Sequence, residues 1–192
     1  MSTETTDAAA QPTLSDLQAK YEAMEDRLAD LEARAEEEDG PPKMTVIAIH
    51  GTLDMAYPTL ILSSMAAAFD WDVTVFASFW ALDLLHEEKS KNLKMSAVGN
   101  PALGVPSLLG VMPGMNTVAT RMMKKKIDDV GTESVEELIG RALDNGVRFL
   151  ACQMTAELMG YEEDDFIEGV ETGVGAATAL LDMEDSDIQL VI

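Results

Sequence analysis

The residue best suited to chemistry in this chain is its single cysteine. Cys152 ends an apolar run, Val147–Cys152 (VRFLAC), and precedes a short helical pattern, Gln153–Met159, that stops at Gly160. A sulfur at a helix start lies near unpaired N–H groups and the positive end of the helix dipole, and both favour the thiolate. Thiolates so placed titrate at roughly 3.5–7.5 instead of about 8.5. The thiolate is the form that attacks sulfane sulfur or carries a persulfide. The alternative is an inert core residue, since cysteine is among the most buried residue types. No catalytic triad is legible. His50 follows another apolar run and approaches Cys152 only if their strands adjoin. Asp54 either caps the helix that begins near Leu53 or contacts a ligand. Trp80 and Gln153 complete the candidate lining of a crevice.

Four cations cluster at Arg121, Lys124, Lys125 and Lys126 in a chain otherwise poor in them. Helix C-termini welcome cations, so dipole complementation explains the group without a ligand. The functional reading is an anion site or a dock for an acidic partner. Met112, Met115, Met122 and Met123 read as helix packing or as an adaptable apolar interface. Gly173-Val174-Gly175 lacks the third glycine and the preceding strand of a dinucleotide fingerprint. The acidic run 182–187 lacks the glycine and terminal glutamate of an EF-hand loop and reads as solvated surface. No cofactor and no metal are expected: one Cys and two His, without HxxxH, do not suit a zinc or iron–sulfur site.

The elements that must position these residues alternate in type. Met44–Ile49 (MTVIAI) and Val73–Ser78 (VTVFAS) read as buried strands, as does Val147–Cys152, and Ile188–Ile192 reads as a terminal strand. Between them, helices are predicted over Leu53–Phe69, Phe79–Leu85 and Met115–Ile127, and a further one, capped by Thr132 or Ser134, runs to about Asn145. Ser134 and Glu137 stand in capping-box spacing. A Pro/Gly-rich stretch fills 99–114. A turn or helix opens at Glu162–Asp165, and Glu171–Leu181 is apolar and rich in small residues. Alternation of this kind predicts an α/β fold: three α/β/α layers around a parallel sheet of about four to five strands. Functional groups in such sheets gather at the carboxyl ends of the strands. That rule collects His50, Gly51, Thr52 and Asp54 after the first strand, Ser78, Phe79 and Trp80 after the second, and Cys152 at the end of the third.

Before the α/β pattern comes an arm. Residues 1–12 read as disordered, and residues 13–39 as a coiled-coil helix. Leu14, Leu17, Tyr21, Met24, Leu28, Leu31 and Ala35 recur with the 3,4 spacing of a heptad seam. So narrow a seam favours a partner helix and hence oligomerisation, while an amphipathic helix lying on its own domain is the alternative. Gly40-Pro41-Pro42 ends the helix, so residues 40–43 read as linker and 44–192 as the folded domain.

Composition narrows the setting. The 192 residues hold 13 Lys+Arg against 35 Asp+Glu, a net charge of −22, with 47% hydrophobic residues. That apolar content suits a chain with a buried core. A surface this negative repels nucleic-acid phosphates and anionic lipid. The excess runs along the whole chain, a pattern like that of halophilic proteins, whose carboxylates stay hydrated while molar salt screens their repulsion. There is no signal-peptide pattern at Met1-Ser2-Thr3-Glu4 and no uninterrupted apolar run of spanning length, so the chain reads as cytoplasmic.

Five segments carry a family resemblance: Asp54-Met55-Ala56-Tyr57-Pro58, Val75–Leu85 (VFASFWALDLL), Gly114–Ile127 (GMNTVATRMMKKKI), Val147–Gly160 (VRFLACQMTAELMG) and Glu168–Leu180 (EGVETGVGAATAL). Together they resemble the DsrE/DsrF/DsrH-like family, in its DsrE-like or peroxiredoxin-like subgroup, over nearly all of 44–192. The resemblance implies a compact α/β/α domain, homo-trimers or hexamers, and a sulfur relay in which a cysteine persulfide exchanges sulfur with TusA-like or rhodanese-like carriers. It places the functional cysteine at Cys152 within ACQMT. With one cysteine, an intramolecular resolving disulfide is excluded. The expectation is a sulfur carrier or sulfurtransferase. The alternatives are a non-enzymatic scaffold or regulatory subunit with a structural cysteine, and a small-ligand binder at the strand ends.

Overall fold

The computed structural model describes residues 14–37, 40–96 and 114–192. The expectations for residues 1–12, for most of the Pro/Gly-rich stretch and for Met112 lie outside these. The chain divides into two compact units, Met1–Gly40 and Pro41–Ile192. In the first, helix α1 spans Leu14–Glu37. The heptad residues Leu14, Tyr21, Met24 and Leu28 are exposed along it. The side chains of Leu17 and Leu31 lie outside the description.

The second unit is a five-stranded parallel sheet with helices on both faces. Its strands are β1 (Lys43–Ala48), β2 (Asp72–Ala77), β3 (Arg148–Cys152), β4 (Val170–Val174) and β5 (Ile188–Val191), in the spatial order β4-β3-β2-β1-β5. Every pairing is parallel. The three central strands are apolar on both sides because both sides are covered. Met44, Val46, Ala48, Val73, Val75, Ala77, Phe149 and Ala151 point into one core cluster. The alternate residues Ile47, Phe76, Leu150 and Cys152 belong to a smaller cluster on the other face.

Helix α2 (Leu53–Ala68) links β1 to β2, and α5 (Val135–Asp144) precedes β3. Both bury residues in the larger cluster, including Leu53, Leu60, Leu138 and Ile139. The capping box at Ser134 is complete. The Glu137 N–H donates to Ser134 Oγ at 3.2 Å, and the Ser134 N–H donates to Glu137 Oε2 at 2.8 Å. After β2 the chain makes a 3-10 turn, Phe79–Ala81, and a short helix α3 (Leu82–Leu85). Helix α4 (Met115–Asp129) runs two residues beyond the predicted end. Helix α6 (Gln153–Met159) matches its predicted bounds and ends at Gly160, whose φ of 70° is one that residues with a side chain rarely adopt.

Two features depart from expectation. Glu171–Leu181 falls across strand β4 and the helix that follows it, α7 (Ala176–Glu184). Gly173 and Val174 are the last residues of β4 and Gly175 is the N-cap of α7, so a strand does precede the helix, but the glycines do not follow it as a dinucleotide fingerprint requires and the third glycine is missing. Strand β4 is an edge strand, VETGV, with two polar residues, a glycine and a register shift against β3, so it lacks the apolar run of a central strand. The acidic stretch 182–187 is also more than solvated surface. Asp187 accepts the Lys43 backbone N–H at 2.8 Å, and Asp185 pairs with the Lys43 ammonium, which ties the start of β1 to the start of β5.

Replacing Ser134 with alanine removes the Oγ half of the capping box, the acceptor for the Glu137 N–H, and leaves the backbone N–H half in place. A loss of about 1 kcal/mol is expected in urea unfolding, with an unchanged denaturant slope.

Candidate functional site

Cys152 is the last residue of β3 and the N-cap residue of α6. The parallel register sets Ala151 beside Ala77, so the next residues, Cys152 and Ser78, leave the sheet side by side. The chain after Ser78 is then held by Thr155, the third residue of α6. The Thr155 and Ser78 hydroxyls are 3.1 Å apart, and the Phe79 N–H donates to Thr155 Oγ1 at 3.4 Å. Thr155 is itself buried. Phe79 has a φ of 48°, in the left-handed region that non-glycine residues seldom occupy. Such strain persists only where surrounding contacts impose it, and it tends to collect at functional sites.

The second constraint on this corner is Gly51. A Cβ built there would stand 1.9 Å from the Trp80 carbonyl oxygen. Only glycine lets the β1–α2 connection pass so close to the β2–α3 turn. Phe79 and Trp80 meanwhile leave their side chains exposed, as do Met154 and Leu158 one turn apart on α6. The β2–α3 turn and α6 thus set the Ser78 and Thr155 hydroxyls beside Cys152 and carry the exposed apolar side chains.

Cys152 is 4% exposed. Burial pushes its thiol up. The Thr155 hydroxyl and N–H, the Ser78 hydroxyl and the Met154 N–H act in the opposite direction and outweigh burial, so the thiol lies below its ordinary value. Neutral hydrogen-bonding groups of the first helical turn and of Ser78 do this work, although the sulfur closes no cap hydrogen bond of ordinary geometry.

The other expected site residues disperse. β2 lies between β1 and β3, so the strands of His50 and Cys152 do not adjoin, and His50 is exposed beyond the end of β1. Thr52, not Asp54, is the N-cap residue of α2. Asp54 accepts the Ser96 N–H at 2.9 Å, and the Leu53 N–H donates to the Lys94 carbonyl, so the pair clamps the segment after Leu93 onto the start of α2. Partial burial pushes the Asp54 carboxyl up, but the hydrogen bonds led by the Ser96 N–H leave it below its usual value. Gln153 is exposed and donates to Glu157 Oε1 one turn along α6 at 2.9 Å. A crevice of about 430 Å³ does open near the end of β1, lined by Gly51, Thr52, Asp83, Lys89, Lys94 and Ser96 among others. Cys152, His50, Asp54, Trp80 and Gln153 are not in its lining. Of the residues that the strand-end rule collects, Gly51 and Thr52 line this crevice, while Ser78 and Cys152 meet at the β2–β3 end.

The basic group divides. Lys124 donates to the Lys91 carbonyl at 2.9 Å and so holds α4 to the 3-10 turn Ser90–Asn92. Arg121, Lys125 and Lys126 are exposed, and Arg121 and Lys125 share a helix face with exposed Val118 and Met122. Met123 is also exposed, so this part of the methionine group does not pack as core.

Among the described residues no group of His, Cys, Asp or Glu is placed to hold a metal ion. No helix among them is long and apolar enough to cross a membrane. Sequence reading missed Thr155. Its signal was the Cys-x-x-Thr spacing of Cys152 and Thr155, which puts the hydroxyl at the third helical position, where N-cap partners sit.

A parallel sheet whose hydroxyl-flanked cysteine ends the third strand defines a single-cysteine α/β/α domain. The chain belongs to the DsrE/DsrF/DrsH-like family, whose model matches residues 41–191. It is 40% identical over 158 residues to the sulfur carrier protein DsrE2 of Allochromatium vinosum, covering 78% of this chain and 98% of that protein. It is 26% identical over 160 residues to the uncharacterized protein YrkE of Bacillus subtilis, covering 78% and 96%. The structure is also similar to that of the ychN protein from E. coli, with a TM-score of 0.46 and 13% identity over 78% of this chain and 99% of that one.

Thr155→Val keeps the shape of residue 155 and removes its hydroxyl. The Cys152 thiol is expected to titrate at higher pH in this variant than in the parent, and Thr155→Ser is expected to restore it. The thiolate ultraviolet absorbance, read against Cys152→Ser, follows this directly.

Proposed function

We propose that this protein is a cytoplasmic sulfur-relay protein that carries sulfane sulfur as a persulfide on Cys152. The observation that carries the reading is the depressed Cys152 thiol at the end of β3, flanked by the Ser78 and Thr155 hydroxyls. Its similarity over most of its length to a protein named as a sulfur carrier supports it.

Loading is a displacement at sulfur. The Cys152 thiolate attacks the outer sulfur of a donor persulfide. The Sγ–S bond forms, the donor's S–S bond breaks, and the donor leaves as its thiolate. Unloading reverses the roles: an acceptor thiolate takes the outer sulfur and Cys152 leaves as thiolate. The number of S–S bonds is unchanged in each step, so no oxidant or reductant is consumed. The Thr155 and Ser78 hydroxyls and the first-turn N–H groups stabilise the anion both as thiolate and as leaving group. With no second cysteine, the chain has no internal thiol to discharge the persulfide. Delivery is therefore to another molecule. Exposed Phe79, Trp80, Met154 and Leu158 supply apolar contact area for TusA-like or rhodanese-like carriers, and Arg121, Lys125 and Lys126 supply the cations for an acidic one.

Incubation with a small persulfide donor is expected to add about 32 Da, one sulfur atom, to the intact protein by mass spectrometry. Cys152→Ser should gain nothing. A wild-type chain that also gains nothing overturns the reading.

A second reading has its own observation. At 4% exposure Cys152 can be a core residue of a non-enzymatic oligomeric scaffold. Alkylation of the native protein separates the two. A relay cysteine reacts within the folded state, whereas a scaffold cysteine reacts only as the protein unfolds.

A further inference from the structure

The α1 arm takes no part in the chemistry above. It is a 24-residue helix, about 36 Å long, and helices in proteins draw most of their stability from packing an amphipathic face. Leu14, Tyr21, Met24 and Leu28 of its heptad seam are between 56% and 79% exposed. An apolar seam of this length needs a covering helix.

The charges flanking the seam say what that helix is. With Leu14, Tyr21, Leu28 and Ala35 at the a positions, the three basic residues of α1, Lys20, Arg27 and Arg34, all occupy g positions. The e positions hold Gln18, Glu25 and Glu32. Two flanks of opposite charge border one seam. In a parallel pair, each g residue lies opposite the e residue of the following heptad in the other helix. That register sets Lys20 against Glu25 and Arg27 against Glu32, twice over by symmetry. In an antiparallel pair, g faces g and e faces e, and every such contact joins like charges. Within the chain, no ion pair among the described residues engages Lys20, Glu25 or Arg27, so these charges are available for a partner.

We propose that α1 zips in parallel and in register with α1 of a second copy of this chain. The pattern is self-complementary, so no other protein is required to satisfy it. One consequence follows for the whole assembly: both copies leave their zipper at Gly40-Pro41-Pro42 from the same end.

The test uses full-length protein in a Cys152→Ser background, where an added cysteine is the only thiol. In a parallel pair, Leu14→Cys brings two copies of residue 14 into one a-position layer, and mild oxidation should yield a disulfide-linked dimer. The charge variants K20E/R27E/R34E and E25K/E32K, each carrying L14C, should lose that cross-link alone and regain it when mixed in equal amounts. They touch neither the seam nor the α/β domain, and circular dichroism of each reports retained folding. Failure of L14C copies to cross-link overturns the proposal. So does a disulfide that forms only between L14C and A35C chains, which marks an antiparallel pair. A cross-link indifferent to both charge variants overturns the role of the e and g residues.

Discussion

The parallel pairing of β2 with β3 is the constraint on which the rest of the site depends. Its register, with Ala77 beside Ala151, makes the two strands end together. Everything at the site follows from that alignment. Cys152 and Ser78 emerge as neighbours, α6 starts at the sulfur, and Thr155 on its first turn reaches across to the Phe79 N–H. A one-residue slip would turn Cys152 to the opposite face of the sheet, because side chains alternate along a strand. The buried residues on both faces hold the register against such a slip. Phe149 and Ala151 fit one cluster while Leu150 and Cys152 fit the other.

The electrostatics of the site are unusual for a chain of this charge. With 35 acidic residues in the chain, the surroundings of a thiolate are predominantly negative. The structure stabilises the sulfur anion with neutral dipoles instead of a cation. Hydroxyls and backbone N–H groups held by α6 are preorganised, and their short-range interactions are less sensitive to salt than those of a surface ion pair. The few cations in the folded unit go elsewhere. Arg148 pairs with Glu171 across β3 and β4, Arg141 with Glu133, and Lys89 with Asp83 and Tyr161.

Much was legible without the fold. The capping box at Ser134 and Glu137, the buried runs of β1, β2 and β3, and the bounds of α6 all rest on local spacing. Strand β4 was not legible. An edge strand buries less, and Val-Glu-Thr-Gly-Val has neither a continuous apolar run nor clean alternation. The joint crevice of His50, Asp54 and Cys152 failed for a different reason. It required a strand order, and order is set by long-range packing. Thr155 was within reach of local reasoning through its spacing from Cys152, but its contacts with Ser78 and Phe79 cross from one connection to another.

The sequence by itself determined the chemistry available: one thiol, no metal-binding group of cysteines, and a heptad arm whose charges are sorted onto two flanks. These are properties of composition and short-range period. Tertiary structure decided which polar groups reach the sulfur and which candidates do not. Putting β2 between β1 and β3 excludes His50 and Asp54 from the Cys152 corner and brings in Ser78 and Thr155. The physical reason is that strand neighbours are chosen by the burial of both sheet faces at once. That choice sums contacts from residues far apart in the chain, and no local window contains them.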